Sequence, residues 1–175
     1  MSKPVPSSAA LPIAHVALRI TIILNWLGGA AILALLVVMP NERWIMSAFK
    51  LAPSPDAERL VMGLRAIAVL GIAVISLNYV VLRTLRAIVD TVRAGDPFVA
   101  SNAQRLRTIA WSLLTLQLVS IIIGAIAKMV STPAHPVHLD AGFSVTGWLA
   151  VLLTFLLARV FAAGTIMRDE IAGTV

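Results

Sequence analysis

The sequence predicts an all-α integral membrane protein: an antiparallel four-transmembrane-helix bundle whose second and third helices extend into a cytoplasmic hairpin. Three observations predict it. The chain has 175 residues, 59% of them hydrophobic and only 13% charged, whereas a soluble domain averages about 45–50% apolar and about 25% charged. Its mean hydropathy is +0.95, and the apolar residues are gathered into four long runs that each meet the roughly 20 residues a bilayer core asks of one helix. The Lys and Arg residues, which give a formal charge of +6, fall unevenly between the connections. One membrane domain accounts for residues 1–175. Cysteine is absent, which excludes disulfides, thiolate metal sites and cysteine nucleophiles.

Span one, residues 20–39, follows a polar start that contains Lys3, Pro4, Pro6, Ser7 and Ser8. Its apolar run passes through Gly28 and Gly29 to Met39, beyond the roughly 7–15 residues of a secretory signal core, and so reads as an uncleaved helix. Between Asn41 and Leu51, a capping residue precedes Ile45, Ala48 and Phe49 at helical spacing, with Trp44 suited to the headgroup level; this reads as a short interfacial helix. Ser54-Pro55-Asp56 supplies a cap, a first-position proline and an acid that favours the helix dipole, so helix two starts outside the membrane near Pro55. Span two, residues 66–85, belongs to a helix with no breaker before Gly95, about 40 residues and about 60 Å long. Gly95 suits a helix end, and Asp96-Pro97-Phe98 does not continue it. A new helix then starts at Ser101, whose spacing to Gln104 is that of a capping box, and runs through Arg105-Leu106-Arg107 into span three, residues 108–127. Span four covers residues 144–163. Before it lies a loop with His135, His138 and Asp140, where Pro136 denies the histidines a common helical face; a solvated turn is the reading, not a metal site.

Orientation follows from the positive-inside rule. With the amino terminus and the loop after span two on one side, that side holds Lys3, Arg19, Arg83, Arg86, Arg93, Arg105, Arg107, Arg159 and Arg168, leaving Arg43, Lys50, Arg59, Arg65 and Lys128 opposite. The acids divide evenly, so nearly all the excess positive charge is cytoplasmic, as are both termini. No acid falls within a predicted span, and Arg159 is the one charge well inside, where its stem snorkels to the interface. A proton-coupled exporter needs an embedded carboxylate, and a hydrolase needs a nucleophile with its base; neither set assembles from the spans, so no enzyme, cofactor or resident metal is expected. Asn25 and Asn78 sit at comparable depths, where a pair between them would glue two helices together.

Gly95-Asp96-Pro97-Phe98, Asn102 and Arg105-Leu106-Arg107 leading into span three resemble the signature of domain-of-unknown-function family 2975. So do Phe161-Ala162-Ala163-Gly164, Met167-Arg168-Asp169-Glu170 and the closing Thr174-Val175. The resemblance covers residues 60–175. It implies a small four-helix protein of the bacterial inner (plasma) membrane, and, because family genes often neighbour a small helix-turn-helix regulator, a membrane protein that holds a DNA-binding partner. It defines no catalytic residues.

The leading expectation is therefore a non-enzymatic regulator or sensor that binds a cytoplasmic partner through its hairpin. The candidate partner-binding residues are Arg86, Arg93, Gly95, Asp96, Pro97, Phe98, Asn102, Arg105 and Arg107. The plainer reading of the arginines is contact with anionic lipid, worth about 1 kcal/mol each near the surface. Direct nucleic-acid binding is disfavoured, since the surface lies flush with an anionic membrane and carries no recognition-helix motif. The alternative is a small transporter or channel subunit with Asn25, Asn78, Tyr79 and Gln117 lining one path. A homo-oligomer is compatible with either.

Overall fold

The computed structural model describes residues 10–38, 54–96, 98–133 and 136–172. Among them are four helices and no strand: α1 (Ala10–Val38), α2 (Pro55–Arg93), α3 (Ala100–Val130) and α4 (Val145–Ala172). All four are long and apolar enough to cross a membrane. Their large side chains face outward; Leu24, Trp26, Leu27, Leu152 and Leu156 are all exposed. Water does not tolerate so much contiguous apolar surface. Lipid does, because its tails are as apolar as leucine, and the helices are then left to meet through small and polar residues. The chain is thus a membrane protein. The interfacial helix expected at residues 41–51 and the loop histidine His135 lie outside the described residues.

Local chemistry sets the ends of α2. The Ser54 Oγ accepts a hydrogen bond from the Ala57 amide at 3.2 Å, Pro55 fills the first position, and Asp56 and Glu58 occupy the first turn. With 39 residues, α2 is about 58 Å long, well over the roughly 30 Å of a bilayer core. It closes at Ala94, after which Gly95 adopts φ 87°, a left-handed conformation that a Cβ makes unfavourable by about 1–2 kcal/mol.

One helix start differs from expectation, and one helix runs past its predicted span. The capping box at Ser101 does not form: Val99 is the capping residue, with no side-chain bond, and α3 begins at Ala100. Tertiary packing sets this start, since the Asn102 side chain is drawn into the contact with α2 while the Asn102 backbone N–H donates to the Val99 carbonyl at 2.9 Å. At the other end of the chain, α4 continues to Ala172, beyond the predicted span end at residue 163, and takes in Met167 to Glu170.

The extensive helix contacts join consecutive helices: α1 with α2, α2 with α3, and α3 with α4. Between α1 and α2, His15 lies against Asp90, Asn25 against Ile75 and Ile32 against Gly71, so numbers rise on one helix as they fall on the other. The expected pairing of Asn25 with Asn78 is replaced by a bond from Asn25 Nδ2 to the Ile75 carbonyl at 3.1 Å. Backbone oxygen in a helix retains a free lone pair, and an amide that reaches it needs no partner side chain. Away from the Gly95 turn, Ser120 Oγ accepts from the Gly142 amide at 3.1 Å and lies 3.3 Å from its carbonyl. Gly124 is seated there directly on the backbone of Ala141 and Gly142.

Candidate functional site

The elbow between α2 and α3 is built around Asn102, which is fully buried, at 0% exposure. Its Nδ2 donates to Thr91 Oγ1 at 2.7 Å, and that hydroxyl in turn donates to the Ile88 carbonyl at 2.7 Å. On its other side, Asn102 Oδ1 accepts from Arg105 Nη1 at 2.8 Å, and the same guanidinium nitrogen reaches the Ala87 carbonyl at 3.2 Å. Residues three or four apart share a helix face, so Asn102 and Arg105 act together on one side of α3 against Ala87, Ile88 and Thr91 on one side of α2. A charge-assisted bond at its core makes this network stronger than neutral contacts alone.

The elbow is also tied to the outer helices. The Phe98 ring packs on Phe161 of α4, centroids 5.3 Å apart, with its edge over Gly164. Asp90 lies 3.4 Å from His15 Nδ1 of α1, an ion pair only when the histidine is protonated.

The candidate residues of the sequence therefore divide. Asn102 and Arg105 are committed to internal bonds, and Asn102 offers no surface to a partner. Phe98 is folded back on α4 but stays 43% exposed. Gly95 and Asp96 form the turn, Arg93 and Arg107 are exposed, Arg86 is half-buried, and Pro97 lies outside the described residues. Two clefts open beside the elbow. One, of about 350 Å³, is lined by Tyr79, Arg83, Thr84, Ala87 and Arg105. The other, of about 540 Å³ between α3 and α4, is lined by residues that include Gln104, Arg107, Phe155 and Arg159.

Sequence reasoning missed Thr91, Phe161 and the cleft shared by Arg107 and Arg159. It carried a signal for Asn102: together with Leu106 and Ile109 it falls at i, i+4 and i+7, the spacing of a buried stripe. The polar residues of the transporter reading do not all gather on one path. Asn25 is bonded between α1 and α2, where Trp26 and Tyr79 also meet at 5.4 Å, while Gln117 sits over Gly147 of α4.

A family model described as protein of unknown function (DUF2975) matches residues 36–175. No curated protein and no solved structure matches the chain.

Proposed function

The chain belongs to the DUF2975 family, and from that premise we propose that it is a non-enzymatic regulator or sensor of the bacterial inner membrane. In this reading the helices form an antiparallel bundle with both termini cytoplasmic, and the elbow projects into the cytoplasm. It binds a small helix-turn-helix transcription factor there. The observation that carries the reading is the pinned overhang: α2 is far longer than a bilayer requires, and its end is fastened by Asn102, Thr91 and Arg105. A connector needs neither the length nor the bonds. A surface fixed before docking loses less conformational entropy when a partner arrives, and Arg93, Gly95 and Asp96 are carried on that fixed surface.

Capture of the intact protein from bacterial membranes, beside an Arg86→Glu/Arg93→Glu variant, tests this. A small DNA-binding protein held by the wild type and lost from the variant is the expected result. An identical set of captured proteins from both would refute the regulator reading. The transporter alternative draws no support from the packing, because Asn25 and Gln117 belong to different helix interfaces.

A further inference from the structure

The cleft between α3 and α4 gathers Gln104 and Arg107 from one helix and Phe155, Ala158, Arg159 and Ala162 from the other, around about 540 Å³. That volume lies within the roughly 300–1,000 Å³ of small-molecule sites. The geometry points to a binding site for the phosphodiester headgroup of an anionic phospholipid, held between Arg107 and Arg159. The site goes beyond the regulator reading and does not rest on it: of its two arginines that reading names Arg107 alone, and lipid binding is read out without any partner.

Charge comes first. Two guanidiniums share the cleft, and among the described residues that line it none is acidic, so an anionic ligand would supply the counter-charge. Guanidinium forks match phosphate oxygens two at a time. Depth comes second. Arg159 lies within the predicted span of residues 144–163, nine residues before Arg168, the next charge on the chain, and a charge left bare within a span is costly. Because Arg107 lines the same cleft, both arginines lie at one level, and a phosphodiester between them neutralises both. Shape comes third. The small Ala158 and Ala162 leave room for the headgroup, while Phe155, packed edge-on against Trp111 at 5.4 Å, gives an apolar wall. Beside it Leu152, Leu156 and Val160 are exposed and provide the surface along which acyl chains run.

The test is native mass spectrometry of the full chain released from nanodiscs of mixed phosphatidylcholine and phosphatidylglycerol. The wild type is expected to retain phosphatidylglycerol preferentially, R107Q/R159Q to lose that preference by about tenfold or more, and R93Q to keep it. Equal retention by R107Q/R159Q, or an equal loss in R93Q, overturns the site in favour of diffuse attraction. Inorganic phosphate that displaces the lipid at matched concentration overturns the lipid assignment and leaves a free-anion site. R107K/R159K removes the forks while keeping the charge, so it decides the matter even where the glutamine variant does not fold. Lowered retention sustains the site, and unchanged retention refutes it.

Discussion

Arg105 and Arg107 stand two residues apart on α3, yet they do opposite things. Two steps along a helix turn a side chain by about 200°, which sends Arg105 to Asn102 and the Ala87 carbonyl and Arg107 into the cleft facing α4. One arginine closes the molecule and the other leaves it open. A basic hairpin that the sequence presents as a single positively charged surface is thus two regions, one consumed by its own fold and one available to something else.

The sharpest way to break this contrast is Asn102→Ala. It leaves the Arg105 guanidinium without its side-chain acceptor and opens a cavity at a fully buried position, so a loss of about 3 kcal/mol is expected in SDS-titration unfolding. An unchanged unfolding curve with loss of partner capture would return Asn102 to the binding surface. Gly124→Ala probes the opposite end of the α3–α4 contact. Its new Cβ would come 2.7 Å from the Ala141 carbonyl oxygen, and because backbone does not yield easily a cost of about 2 kcal/mol is expected in the same assay. Phe98→Ala removes a half-exposed ring from Phe161, with an expected loss of about 1 kcal/mol; faster proteolysis at the turn would report the loosened elbow. Arg107→Gln closes the series. Stability is expected to stay within about 0.5 kcal/mol of wild type, and a drop as large as that of Asn102→Ala would erase the distinction between the two arginines.

The sequence made the spans and the α2 ends legible because those features are local. Hydrophobic runs state where oil is required, and Ser54-Pro55-Asp56 and Gly95 act on the turn in which they sit. Features that depend on a neighbouring helix were not legible. Ser101 carries a sound capping pattern, but the pull of Asn102 toward Thr91 places the start of α3 at Ala100. Hydropathy marks where the oil of span four stops and not where α4 stops, since Met, Arg and Glu are good helix formers that carry it to Ala172. Along the sequence Arg159 stands alone as a charge within a span. Its place in one cleft with Arg107 depends on how α3 lies against α4, which no spacing along the chain expresses.

The extensive contacts of every helix are with its neighbours in the chain, and this bears on how the molecule is made. Each helix that emerges during synthesis finds its packing surface in the one already inserted, so no interface has to wait for a segment far downstream. Contacts between chain neighbours also close short loops first, the order that keeps folding fast and exposed surface short-lived. A chain interrupted after Val130 would already own the Asn102–Thr91–Arg105 network of the elbow, and α4 would add the Phe161 seat of Phe98 and the second wall of the Arg107 cleft.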